Sequence, residues 1–143
     1  MSLLDIGNFV EIKLYYMFKE VKATKKLFIL EDIQAEKLLK NEEKSKNVGI
    51  LNTKWKPLNW KEQNEVMELS SKSDPTTGES QFKFVVYRDA VVKRCLKEWD
   101  IKENGVIVPV TPEKIDSLPA NIVTTLFQRF EEINDYTEEQ LKN

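Results

Sequence analysis

The sequence contains no histidine and only one cysteine. The first absence removes the commonest general base, metal ligand and near-neutral pH switch in one stroke. The second excludes an internal disulfide framework and any all-cysteine metal cluster within one chain. Without a histidine, Cys95 cannot be the nucleophile of a Cys–His pair, and its neighbours Ala90, Val91, Val92 and Leu96 read it as a buried structural thiol. Glycine (4) and proline (5) are scarce, which weighs against collagen-like, linker-like and turn-dense all-β chains. No two glycines lie within ten residues of each other, so there is no glycine-rich phosphate loop. Only three of the 22 basic residues are arginine (Arg88, Arg94, Arg129). A general nucleic-acid binder favours arginine and a basic excess; here the net charge is −2. No run approaches the roughly 20 apolar residues of a membrane span. Asp5 and Glu11 also interrupt any secretion-signal core near the N-terminus. These absences point to the cytoplasm and to neither nucleic acid nor membrane.

What is present is a chain of 143 residues, 41% hydrophobic and 32% charged. That is enough for one compact domain with a modest core. Residues 9–18 alternate (Val10, Ile12 and Leu14 against Glu11 and Lys13) as a strand would, while the aromatics that follow fit a helix equally well. Leu27, Leu30, Ile33 and Leu38 approximate a helical face over 27–40. The polar run 40–49 ends in Gly49 and reads as an exposed linker. It divides an N-terminal segment, 1–50, from a helical domain, 51–143. Asn59 with Glu62 forms an approximate capping box for a helix over 60–71, and 73–78 is the strongest loop signal. Phe82, Val85, Val86, Ala90, Val91, Cys95, Leu96 and Trp99, spaced three to five apart or adjacent, predict one long amphipathic helix over 82–99.

Asn104-Gly105 marks a tight turn closing a small hairpin. Thr111-Pro112-Glu113 starts a short helix over 112–117. A last helix over 119–134 carries the stripe Ile122, Val123, Leu126, Phe127, Phe130 and Ile133, and residues 137–140 cap a final turn. The expected fold is therefore mainly α: a small helical domain with at most a minor β-hairpin. The couplets Glu131-Glu132 and Glu138-Glu139 could suggest an acid–base or di-metal pair. Adjacent side chains on a helix diverge by about 100°, so each couplet splits across faces and reads as solvated surface. No catalytic residue, cofactor site or metal site is expected.

The stretch Val91 to Asp100, then Asn104-Gly105, then Val110-Thr111-Pro112-Glu113-Lys114-Ile115-Asp116-Ser117-Leu118-Pro119-Ala120-Asn121-Ile122 resembles the tail assembly chaperones of tailed bacteriophages and prophages, small proteins encoded among the tail genes. In that group a helix ends in tryptophan, a short glycine turn follows, and a Thr-Pro-Glu … Leu-Pro segment opens the final helix. Trp55-Lys56-Pro57-Leu58-Asn59-Trp60 before a helix also fits. The resemblance covers residues 51–135. It implies a helical, non-catalytic protein that binds the tape-measure or tail-tube protein during tail morphogenesis, and it is compatible with a homo-oligomer. A virion component such as a head–tail adaptor or tail-terminator subunit, and a host-directed inhibitor, are the alternatives. Trp55, Trp60 and Trp99 are the candidate protein-binding residues, tryptophan being enriched among interface anchors; core packing is the competing role for each.

Overall fold

The computed structural model describes residues 9–73 and 75–134; the turn expected at 137–140 and the Glu138-Glu139 couplet lie outside them. In chain order the elements are β1 (Val10–Val21), β2 (Thr24–Leu30), α1 (Asp32–Leu39), α2 (Glu42–Ser45), β3 (Gly49–Trp55), α3 (Trp60–Ser70), β4 (Ser71–Ser73), β5 (Ser80–Phe82), α4 (Phe84–Cys95), β6 (Leu96–Trp99), β7 (Lys102–Glu103), β8 (Val106–Ile107), α5 (Pro112–Asp116) and α6 (Ala120–Asn134). Helix makes up 44% and strand 32% of the described residues. The mainly α expectation is thus corrected: this is a mixed α/β fold around a four-stranded antiparallel sheet of order β2-β1-β3-β6.

Alternation decides β1 and β3. Ile12 and Leu14 of β1 and Leu51, Thr53 and Trp55 of β3 are buried on one face, as the two-residue period of a strand requires. Glu11, Lys13, Asn52, Lys54 and Glu98 are exposed on the other, where Lys54 meets Glu98 across strands at 3.6 Å. The polar Thr53 is buried because its hydroxyl is satisfied twice. It donates to the Ile12 carbonyl at 2.8 Å and accepts from Trp55 Nε1–H at 2.8 Å. Gly49 opens β3 directly opposite Tyr16 of β1, and the Tyr16 ring lies where a Cβ at Gly49 would project.

Two helical expectations fail for one physical reason. The 27–40 stripe is helical only from Asp32; Thr24–Leu30 is a strand that pairs with β1 through the two-residue turn Lys22-Ala23. Ile33, read as part of an apolar face, is 67% exposed. The long helix expected over 82–99 spans only Phe84–Cys95. Leu96–Trp99 then runs along β3, and the Cys95 carbonyl accepts a hydrogen bond from Lys56 N–H at 2.8 Å. In both places backbone pairing with another strand, the adjacent β1 for Thr24–Leu30 and the distant β3 for Leu96–Trp99, outweighs helical periodicity. Helices α3, α5 and α6 and the β7–β8 hairpin agree with expectation to within a residue or two.

The core lies between the inner face of the sheet and the helices. Val66 of α3, Val91, Val92 and Cys95 of α4, and Ile122, Leu126, Phe127 and Phe130 of α6 join Ile12, Leu14, Leu51 and Trp55 in one cluster. Residues 10–30 therefore contribute two of the sheet's four strands to a core shared with the rest of the chain. None of the helices among the described residues is long and apolar enough to cross a membrane.

Candidate protein-binding surface

The three tryptophans fall in different environments. Trp55 is fully buried, stacked on Phe130 with ring centroids 4.8 Å apart. Trp99 is buried, its Nε1–H donating to the Val108 carbonyl at 2.6 Å. Both serve the core. Trp60, at the first position of α3, is 77% exposed. The capping box predicted beside it is present: Glu62 N–H donates to Asn59 Oδ1 at 2.8 Å, and Asn59 N–H to Glu62 Oε1 at 3.3 Å. Of the three, Trp60 alone has the exposure that a contact with another protein needs.

The structure gathers a larger surface around the α3–α4 turn. Among the described residues, half of the exposed large hydrophobics come from 60–86: Trp60, Met67, Leu69, Phe82, Phe84, Val85 and Val86. Helix α3 buries only a narrow seam, Val66 and Ser70, with the Ser70 hydroxyl donating to the Val66 carbonyl at 2.6 Å. It is tied to α4 by Arg94 Nη1 and Glu65 Oε2 at 2.6 Å, a contact that holds the Glu65 carboxyl below the usual carboxylate range. The β4–β5 hairpin follows directly, with Lys83 N–H donating to the Ser70 carbonyl at 2.7 Å. All of its strand residues are exposed.

Next come Phe84, Val85 and Val86, exposed by 52%, 66% and 37%. Three consecutive helical residues sweep about 200°, so exposure of all three means that the first turn of α4 stands out from the body on several sides. An apolar arm results, made of the end of α3, the β4–β5 hairpin and the start of α4. Its root is a group of rings. Tyr87 lies 5.5 Å from Phe82 and 6.3 Å from Phe84, and both Phe84 (6.0 Å) and Tyr87 (6.3 Å) meet the buried Phe127 edge-on. Arg88 sits over the outer face of Phe84, 5.7 Å from its centroid. Beyond Tyr87 a cleft of about 490 Å³ opens between Pro57, Leu58, Val91, Phe130 and Glu131. The Tyr87 hydroxyl donates to Glu131 Oε1 there at 3.3 Å. Burial, then the nearby Glu131 charge, raises the Tyr87 pKa and keeps the phenol neutral.

The large side chains that the arm exposes are non-polar. Cys95, buried at the end of α4, is pushed up to about 12 by desolvation, which leaves no thiolate at neutral pH. Lys93 is held protonated by Asp89 at 3.1 Å and Asp116 at 3.0 Å, contacts that raise its pKa and link α4 to α5. Among the described residues, no three His, Cys, Asp or Glu side chains gather as a metal site would require.

The sequence pattern contained the arm but assigned it to the core. Phe82, Val85 and Val86 continue the stripe that includes Val91 and Cys95, and periodicity alone has no means of saying that the first third has nothing opposite it. The nearest signal was position, because those residues follow the strongest loop in the chain. No protein-family model, curated protein or solved structure matches this chain.

Proposed function

We propose that this chain is a non-catalytic binding protein of phage tail assembly, a chaperone that covers an apolar segment of the tape-measure or tail-tube protein in the host cytoplasm until the tail is built. The observation that carries the binding role is the arm, where Phe82, Phe84, Val85 and Val86 remain in solvent around a ring cluster rooted on Phe127. Contiguous apolar surface rimmed by charge marks a protein-interaction site, and an amphipathic partner helix laid along it would bury these side chains. The tail partner comes from the resemblance of residues 51–135 to tail assembly chaperones.

The test is co-expression with the tape-measure and tail-tube proteins of the same genome, followed by pull-down and assay of their solubility. Retention of one of them, lost in a Phe84→Asp/Val85→Asp variant that remains folded, is the expected result. Capture of neither, alongside specific capture of a host protein, would replace this reading with a host-directed inhibitor. Mass spectrometry of purified particles separates the chaperone from a virion subunit: the chaperone is absent and the subunit stoichiometric.

A further inference from the structure

Strand β1 has an edge that the sheet leaves half open. Lys13 lies directly opposite Asn52 of β3, and the Asn52 backbone is turned toward β6. Its carbonyl accepts from Asp100 N–H at 3.2 Å, and its N–H donates to Asp100 Oδ1 at 2.9 Å. The backbone groups of Lys13 therefore point away from β3, and those of Glu11, two residues along, point the same way. On that side β2 pairs with β1 only from Tyr15 onward, because the chain leaves the sheet after Leu30. Continued by two residues, the same register would set Asp32 opposite Lys13. Asp32 instead begins α1, so among the described residues no strand covers this side of Glu11 and Lys13.

A side chain takes the missing strand's place. Arg129 Nη1 donates to the Lys13 carbonyl at 2.6 Å and lies 3.8 Å from Asp32 Oδ1. Its neighbours Phe127 and Phe130 on α6 are buried, so the packing of that helix delivers the guanidinium to the edge. Beside the edge opens a groove of about 620 Å³, bordered by Ile33 of α1 and Ile133 of α6. An uncovered strand edge is a template on which another chain can pair.

The residues of the edge say which chain fits. A second copy can add antiparallel only in registers that bring the outward backbone groups of residues 11 and 13 face to face. Centred on Ile12, the pairing sets Glu11 of each copy opposite Lys13 of the other, and both pairs exchange N–H and C=O groups. The neighbouring registers set Glu11 on Glu11 or Lys13 on Lys13, like charges directly opposite. In the centred register the added strand leaves at Val10, since its Phe9 would fall opposite Tyr15, which Leu30 already pairs. The open edge and the self-complementary stretch thus have the same extent.

We propose that Arg129 guards this edge. While its guanidinium holds the Lys13 carbonyl, the chain does not pair there with itself; release of the guard opens an antiparallel β1–β1 contact with a second copy. Other extended peptides meet the same backbone groups, and the matched Glu11 and Lys13 rows favour the chain's own copy. The inference does not depend on the tail-assembly reading, since it uses none of the arm's residues.

Sedimentation equilibrium of the full chain tests it, with amide exchange at Glu11 and Lys13 as the local readout. In the wild-type chain both amides should exchange fast at every concentration. Arg129→Met keeps the side-chain stem and removes the donor. It should tighten self-association by at least about tenfold and give both amides protection that grows with concentration. Asp32→Ala, which leaves Arg129 less firmly held, should act in the same direction and more weakly. Glu11→Lys added to Arg129→Met places like charges across the axis and should weaken association by about tenfold or more. Lys13→Glu added as well returns opposite charges and should restore it, which association through misfolding would not do. Should Arg129→Met fail to fold, the same charge exchange in the Asp32→Ala background decides. Equal self-association with and without the guard, unprotected Glu11 and Lys13 amides in the dimer, or association that ignores the charge exchange would each overturn the proposal.

Discussion

Along α6, Ile122, Leu126, Phe127 and Phe130 are all buried, whereas the first turn of α4 leaves Phe84, Val85 and Val86 in solvent. The two helices carry side chains of the same chemistry at similar spacing. Helix α6 lies over the inner face of the sheet, where β1 and β3 present Leu14 and Trp55, and its stripe is consumed. Helix α4 reaches that core through Tyr87, Ala90 and the buried Val91, Val92 and Cys95; its first turn, Phe84 to Val86, stands at the edge with most of its surface in solvent. An apolar stripe thus records that a helix has surface to bury, and the tertiary frame decides whether the protein itself or a partner buries it.

Substitution at matched positions should break this symmetry most sharply. Phe127→Ala is expected to cost about 3–5 kcal/mol, as for buried phenylalanine elsewhere. Val85→Asp should change stability by no more than about 0.5 kcal/mol, as at a solvent-exposed site. Chemical denaturation of both variants measures the difference, and a large loss from Val85→Asp would place the arm inside the core.

The buried half of α4 should also show itself in alkali. Folded Cys95 keeps its proton up to about 12, whereas the thiol's ordinary value is 9.0. Between these values the unfolded chain binds fewer protons than the folded one, so stability falls as pH rises, by up to about 4 kcal/mol at pH 12. Below pH 8 this group contributes no dependence. The raised values of Tyr87 and Lys93 act in the same direction. Denaturation midpoints followed from pH 8 to 11 should decline, less steeply in Cys95→Ala. An unchanged slope in that variant would show that the thiol is not the desolvated group.

Within the sheet the same contrast of covered and uncovered surface recurs at smaller scale. Gly49→Ala places a methyl group in the ring of Tyr16 and should cost about 1–3 kcal/mol, the range for overpacking. At the tip of the β1–β2 hairpin, Ala23→Gly relieves a positive-φ alanine. It should stabilise by about 0.5–1 kcal/mol, read as a rise in Tm. A neutral Gly49→Ala would show that Tyr16 can leave its position without loss.

Much of the chain from Asn59 onward was legible in the sequence. The Asn59–Glu62 box, the Thr111-Pro112 helix start and the turn at Asn104-Gly105 are local devices, complete within a few residues. The Thr111 hydroxyl accepts from Lys114 N–H at 3.2 Å, as a cap of that type does. The β-sheet was not legible in the same way. For 9–18 the alternation was visible and the aromatics masked it; Leu27 and Leu30, like Leu96 and Trp99, stand three apart, a helical spacing, and Leu96 and Trp99 are both buried in a strand because the pairing with β3 is irregular at Lys54 and Trp55. Of the candidate site, tryptophan content pointed to Trp60 but also to Trp55 and Trp99, which a hydrogen bond to Thr53 and one to Val108 hold inside.

By itself the sequence determined the caps, the turns, the α6 stripe and the missing histidine, because each depends on residue identity or on neighbours a few positions apart. Only the tertiary structure decided that Leu96–Trp99 leaves the helical path, that Gly49 sits under Tyr16, and that Phe84 to Val86 stay in water while Phe127 does not. These outcomes depend on which distant strand offers unpaired backbone groups and on where the inner face of the sheet ends. Both quantities arise from contacts among residues tens of positions apart, as between Tyr16 and Gly49 or Thr53 and Trp99, and no local spacing encodes them.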